Sequence, residues 1–132
     1  MREHIVFLDR STLKARVRSP GFEHDWQEYA VTGASEIVPR LRAATVAITN
    51  KVPLRADALR QLPRLRMIAV AATGYDVIDL DYCREHGLAV ANIRNYALHT
   101  VPEHTFALIT ALRRNLLAYR RDVEQGRWQQ AE

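Results

Sequence analysis

Thr73 and Gly74 are the residues of this 132-residue chain whose place most directly suggests chemistry. They follow an apolar run, Met67-Ile68-Ala69-Val70-Ala71, with the length and boundaries of a strand buried on both faces. In an open parallel sheet, ligands bind beyond the carboxyl ends of the strands, where bare amides attract anions. A glycine at that place lets the chain turn sharply and lets a ligand approach the backbone. Lys51 stands just past another predicted strand and could steer an anionic substrate; a solvated loop lysine fits the position as well. Asp9, ending the first predicted strand, serves either a ligand or the order of the next turn. On local pattern alone, an ordinary strand–turn–helix junction accounts for Thr73 and Gly74 equally well.

Other chemistries lack their residues. No Cys–His cluster has zinc spacing, and no Gly-x-Ser-x-Gly elbow occurs. Pro102-Glu103-His104-Thr105 lacks the second histidine of a helical zinc-protease motif, so no metal site is expected. The glycines, Gly21, Gly33, Gly74, Gly87 and Gly126, lie too far apart for a Gly-x-Gly-x-x-Gly or phosphate-loop fingerprint. Cys83 is the single cysteine, so no internal disulfide forms, which fits a reducing cytoplasm. Its place in a short amphipathic helix predicts a buried, inert thiol.

The formal charge of +4 comes from arginines interleaved with acids, and no basic cluster carries stacking aromatics. Nucleic acid is therefore not an expected partner. No signal peptide is recognised and no apolar run approaches bilayer length, so no membrane partner is expected. The 48% apolar content is that of a globular protein with a real core.

The apolar pattern supplies the framework on which these residues stand. Strands are predicted over 4–8, 26–31, 45–49, 67–71 and 88–92. Trp26 and Tyr29 are candidate core aromatics. Helices are predicted over 36–43, capped by Ser35; over 55–62, stopped by Pro63; and over 80–86, capped by Asp79 and closed by Gly87. Ile37, Val38 and Leu41 share one helix face, and Leu54, Ala58 and Leu62 are spaced to point inward. This alternation predicts an α/β fold: a flavodoxin-like open parallel five-stranded sheet with helices on both faces, and 67–71 at or next to its centre.

The last stretch departs from that rhythm. Thr100-Val101-Pro102-Glu103 matches a capping box, and a single helix is predicted from 101 to 125, closed by Gly126. At 1.5 Å per residue it would run roughly 35 Å. Its apolar residues spread beyond one stripe, which predicts burial on several sides. A homodimer with Leu112, Leu116 and Tyr119 in its seam satisfies this; a helix folded back on its own sheet is the alternative.

Three segments resemble one family when taken in order: Ala72-Thr73-Gly74-Tyr75-Asp76-Val77-Ile78-Asp79, Gly87-Leu88-Ala89-Val90-Ala91-Asn92 and Val101-Pro102-Glu103-His104-Thr105-Phe106-Ala107-Leu108. The chain is similar along its whole length to the D-isomer-specific 2-hydroxyacid dehydrogenases. The opening Val6-Phe7-Leu8-Asp9-Arg10, Thr49-Asn50-Lys51-Val52-Pro53 and the closing Gly126-Arg127-Trp128-Gln129-Gln130 resemble the glycerate dehydrogenase (hydroxypyruvate reductase) branch. The resemblance implies a substrate-binding domain over 1–98. Residues 99–132 would be an interdomain helix and the start of an otherwise absent dinucleotide-binding domain.

It also implies hydride transfer between NAD or NADP and C2 of a small 2-hydroxy or 2-keto acid. By resemblance, Lys51, Val52, Thr73 and Gly74 bind substrate, while Thr73 and Thr105 contact the cofactor. Thr105 is expected in the first turn of its helix, as a donor near the cofactor phosphates. No residue matches the family's catalytic arginine, glutamate and histidine, so the chain alone is expected to be inactive. Val77-Ile78 stands where many members have Asn-Val or similar, and Tyr75 is bulkier than some counterparts, so substrate size stays open. The same fold also suits a non-catalytic dinucleotide-sensing module or a protein-interaction module.

Overall fold

The computed structural model describes residues 2–130; Met1, Ala131 and Glu132, at the outer ends of the two expected domains, lie outside the described residues, as does the Trp128 side chain. Two compact units follow one another, Met1–Arg94 and Asn95–Glu132.

The first unit is built on five strands: β1 (Glu3–Phe7), β2 (His24–Glu28), β3 (Val46–Thr49), β4 (Met67–Val70) and β5 (Ala89–Asn92). All pair in parallel, in the order β2-β1-β3-β4-β5. This is the expected open sheet, with β4 next to the central β3. Between the strands lie three helices: α1 (Ile37–Leu41), α2 (Ala56–Leu59) and α3 (Leu80–Glu85).

The crossovers explain where the core sits. From β2 onward the chain steps across the sheet in one direction, and right-handed crossovers put α1, α2 and α3 on one face. Ile37 and Leu41 of α1, Leu59 of α2 and Cys83 of α3 accordingly join Val6, Ala47, Ile68 and Val70 in one core. Fully burying each of the valine, leucine and isoleucine side chains among them contributes about 1.5–3 kcal/mol.

The step from β1 to β2 runs the other way, so its connection crosses the opposite face. That connection holds no α-helix, only a 3₁₀ turn at Arg10–Thr12. Arg10 lays its guanidinium 5.9 Å from the centre of the Phe7 ring and donates to the carbonyls of Leu13 and Ala15. The expectation of helices on both faces is thus corrected for the first unit. So is burial of β4 on both faces: Ile68 and Val70 are buried, whereas Met67 and Ala69 are half-buried.

The second predicted strand lies earlier than expected, at β2, with Trp26 half-buried and Tyr29 packed against the core just beyond the strand. The expected helices over 36–43 and 55–62 are shorter. Ser35 does not cap α1; it lies inside a 3₁₀ turn, Ala34–Glu36, whose entry is held by Gly33 N–H donating to Glu36 Oε2 at 2.7 Å. Asp79 does cap α3, accepting from Tyr82 N–H at 3.1 Å, and Gly87 takes φ +66 just after it.

The second unit contains α4 (Thr100–Arg113), α5 (Leu116–Glu124) and a 3₁₀ turn at Arg127–Gln130. The single long helix is corrected to two. Asn115 sits between them at φ 51, ψ 38, a left-handed conformation that asparagine tolerates better than most side-chain-bearing residues. Arg114 and Asn115 N–H close α4 onto Thr110 and Leu112, and the Asn115 carbonyl starts α5 by accepting from Ala118 and Tyr119. The capping box is also absent. Helical bonds begin before Thr100, with Val101 N–H donating to Ala97 and Glu103 N–H to His99, so the amide that a Thr100 cap would take is occupied. Gly126, at φ +69, follows the end of α5 as expected.

Candidate functional site

Two segments leave β3 and β4 side by side at their carboxyl ends. The register pairs Thr49 with Val70, and Ala71 N–H donates to the Thr49 carbonyl at 2.8 Å. The segments meet again at Leu54 and Ile78, where Leu54 N–H donates to Val77 and Asp79 N–H to Leu54. Residues 50–53 and 71–77 therefore form two facing walls anchored at both ends. Asp79 strengthens the far anchor: beyond capping α3, it accepts from Ala56 N–H at 3.3 Å. Lys51, Val52, Thr73 and Gly74 all lie on these walls.

Their backbone donors differ sharply. The N–H groups of Asn50, Lys51 and Val52 all point at the carboxylate of Asp9, at 2.9, 2.6 and 3.3 Å. Asp9 is only 2% exposed, and its carboxylate makes no cap bond to the turn that follows it; the expected ordering of the next turn is corrected to ordering of residues 50–52, a segment distant in sequence. Across the gap, the N–H groups of Thr73, Gly74, Tyr75 and Asp76 make no hydrogen bond to any described residue, and all four residues are exposed. Successive unpaired amides at a strand end carry partial positive charge and suit a small anion.

The side chains complete the picture. Lys51 is exposed and makes no ion pair among the described residues, so its ammonium adds mobile positive charge. Val52 is buried and gives its wall an apolar footing, with Thr49 Oγ1 donating to its carbonyl at 2.9 Å. Gly74 does not adopt positive φ. A Cβ there would stand 3.1 Å from Asp76 Oδ1, so glycine supplies space rather than a special conformation.

Sequence reading missed Asn92. It ends β5, and its Nδ2 donates to the Thr73 carbonyl at 2.7 Å, tying that peptide to the neighbouring strand. An amide-bearing residue at a strand's carboxyl end was the available signal. Asn92 and Tyr75 also line a cavity of about 350 Å³ with Leu80, Cys83, Arg84, Leu88 and Val90. Cys83 is buried and its thiol is pushed up from its ordinary pKa, by burial first and by Asp79 second. A larger cavity of about 600 Å³ includes Glu3, Val46 and Met67, the first residues of their strands. It lies at the wrong end of a parallel sheet for a ligand site.

Thr105 belongs to the second unit, apart from the other four residues in the chain's organisation. It lies in the second turn of α4, not the first, because the helix begins at Thr100. Its hydroxyl donates to the Val101 carbonyl at 2.9 Å, leaving only lone pairs for another partner. Glu103 and His104 are exposed, and neither caps the helix.

Residues 7–125 match the family described as D-isomer specific 2-hydroxyacid dehydrogenase, catalytic domain. The chain is 50% identical to a glycerate dehydrogenase of Methylorubrum extorquens, an alignment covering 100% of this chain and 42% of that protein. Among solved structures it resembles D-lactate dehydrogenase from Aquifex aeolicus complexed with NAD and lactic acid, at TM-score 0.63 and 26% identity, covering 92% of this chain and 37% of that one. An NADPH-dependent glyoxylate/hydroxypyruvate reductase from Sinorhizobium meliloti in complex with citrate superposes at TM-score 0.71 and 20% identity, covering 98% and 40%, which speaks to the fold. The chain thus spans less than half the length of each of these proteins.

Proposed function

We propose a function from one premise: the chain belongs to the D-isomer-specific 2-hydroxyacid dehydrogenase family. It is the substrate-binding part of an oxidoreductase that interconverts a small 2-hydroxy acid and its 2-keto acid, of glycerate and hydroxypyruvate type. The observation that carries this reading is the row of unpaired amides at Thr73, Gly74, Tyr75 and Asp76, on the segment next to the one that bears Lys51.

A 2-keto acid presents a carboxylate next to a carbonyl. The carboxylate takes the free amides, which already carry partial positive charge, and Lys51 adds attraction from the facing wall. Val52 is packed in the core, so it fixes that wall to the sheet rather than touching the carbon chain itself. Holding the carboxylate fixes the direction in which C2 points, and orientation is the main service such a residue set can provide. Asn92 steadies the Thr73 peptide, so the amide row does not have to be ordered anew for each substrate.

NAD or NADP is proposed as the hydride carrier of the whole protein; of the relatives named above, one is in complex with NAD and another is described as NADPH-dependent. This chain contributes little of a cofactor cradle. Thr73 lies on the substrate wall, and Thr105, with its proton directed at Val101, does not donate to a phosphate as it stands. The described residues do not fit a dinucleotide by themselves, and the part this chain plays in the reaction is confined to binding and orienting the substrate. In domain terms, 1–98 binds substrate and 99–132 leads toward the dinucleotide-binding part.

The test compares two proteins: the 132-residue chain and the same chain extended to the length of its glycerate dehydrogenase relative. Oxidation of NADH or NADPH is followed with hydroxypyruvate and glyoxylate. The extended protein is expected to turn over and the 132-residue chain to show none above a protein-free control. Absence of turnover in the extended protein with either cofactor and every small 2-keto acid would contradict the reading.

A further inference from the structure

We propose that Asp9 is a positioning residue: its carboxylate is an internal anion that holds residues 50–52 as one wall of the substrate site. The proposal rests on the substrate reading for what the wall does, and on the geometry alone for what Asp9 does.

In the strand order β2-β1-β3-β4-β5, the direction of winding reverses between β1 and β3. Ligands of such sheets bind in the crevice at that reversal, beyond the carboxyl ends of the two strands. Asp9 and residues 50–52 stand at that place, Asp9 two residues beyond β1 and residues 50–52 directly after β3. The crevice is filled from within. Oδ1 of Asp9 accepts from Asn50 N–H at 2.9 Å, while Oδ2 accepts from Asn50 at 3.1 Å, Lys51 at 2.6 Å and Val52 at 3.3 Å. Three consecutive amides on one carboxylate is the arrangement by which backbone binds a free carboxylate or phosphate.

The surrounding bonds lock the same segment. Thr12 N–H and Oγ1 both donate to the Asp9 carbonyl, at 3.0 and 2.7 Å. Asn50 Nδ2 donates to Thr12 Oγ1 at 2.9 Å, and Thr49 Oγ1 holds the Val52 carbonyl. Among the described residues no arginine or lysine forms a salt bridge with Asp9; Arg10, next in sequence, pairs with Glu28 at 3.2 Å. The buried charge is therefore balanced by backbone dipoles.

This has two consequences. The reversal crevice is closed to an outside anion, which leaves the β3–β4 gap, with its free amides, as the place for substrate. Removal of the carboxylate frees three amides at once, and a small carboxylate of the right size can replace it.

The experiment uses ¹⁵N-labelled 132-residue chain, wild type, Asp9→Ala and Asp9→Asn, with and without excess formate, each then titrated with hydroxypyruvate. Asp9→Ala is expected to displace the amide signals of Asn50, Lys51 and Val52. It is also expected to weaken hydroxypyruvate binding at residues 73–76 by about tenfold, equivalent to about 1.4 kcal/mol. Formate should return both toward wild type. Asp9→Asn, which keeps one carbonyl oxygen but no charge, should fall between, and wild-type signals of residues 50–52 should not respond to formate.

Unmoved signals of residues 50–52 in Asp9→Ala, failure of formate to restore them, or a formate response in wild type would each overturn the proposal. If Asp9→Ala does not fold, Asp9→Asn indistinguishable from wild type at residues 50–52 overturns it, and displaced signals there support it. If wild type shows no hydroxypyruvate response at residues 73–76, the substrate reading fails, while formate rescue of residues 50–52 still decides the role of Asp9.

Discussion

At the scale of single residues, the site is defined by which amides are taken and which are free. Asp9 occupies those of residues 50–52, and those of residues 73–76 are open. A side chain at Gly74 would stand among the open amides, with its Cβ 3.1 Å from the exposed Asp76 carboxylate, which can swing aside. In the extended protein, Gly74→Val is expected to raise KM for the 2-keto acid and lower kcat together. Misplacing the reacting atoms by about 1 Å can cost on the order of a hundredfold. Steady-state kinetics check this, and unchanged constants would remove Gly74 from the site. Cys83 gives a second residue-scale expectation. Burial disfavours its thiolate, which is the reactive form. Folded chain at mildly alkaline pH should react slowly with a thiol reagent such as Ellman's reagent, and urea should make the reaction fast. Rapid labelling of the folded chain would mean the α3 face opens readily.

At the scale of elements, the sheet was legible because β1, β3, β4 and β5 carry compact apolar runs and the connections carry turn residues; β2, His24-Asp25-Trp26-Gln27-Glu28, has no such run, and its bounds differ from the expected ones accordingly. Asp79 and Gly87 were legible for the same reason: each acts within a few residues of itself. What sequence did not reveal is set at longer range. Asp9 and Asn50 are brought together only by pairing of β1 with β3, and Asn92 reaches Thr73 only through β5 beside β4. The absent capping box shows another limit, since a helix that starts early makes a good cap sequence irrelevant. The break at Asn115 has a recognisable residue type but no glycine or proline to announce it. Asn115→Gly should preserve the break, and Asn115→Ala should be less stable than Asn115→Gly by about 1–2 kcal/mol, the penalty for a Cβ in the left-handed region. Thermal unfolding compares them: the alanine variant should melt below the glycine variant, and equal melting would show that the break does not depend on that conformation.

At the scale of the molecule, the second unit leaves large apolar side chains exposed: Phe106, Leu112 and Leu117 are each at least two-thirds accessible. Exposed apolar surface of this extent usually marks an interaction face. Self-association as a two-fold dimer is the simplest arrangement that would cover it, and it remains our proposal. The helix break changes its expected seam, because Leu112 lies in α4 while Leu116 and Tyr119 lie in α5, so the three do not form one straight stripe. Sedimentation at micromolar concentration should show a dimer that Leu112→Asp or Leu116→Asp dissociates, with the sheet still folded. A monomer that binds no hydrophobic dye would defeat it. Among the described residues no helix is long and apolar enough to cross a membrane.

The functional reading depends above all on the amides of Thr73, Gly74, Tyr75 and Asp76 holding the carboxylate of a small 2-keto acid. The decisive experiment is a ¹⁵N–¹H titration of the wild-type chain with hydroxypyruvate, beside hydroxyacetone, a neutral ketone of similar size that lacks the carboxylate. Saturable shifts concentrated at residues 73–76 are expected with hydroxypyruvate, and none there with hydroxyacetone. Shifts confined to other parts of the chain, or equal responses to the two compounds, would contradict it.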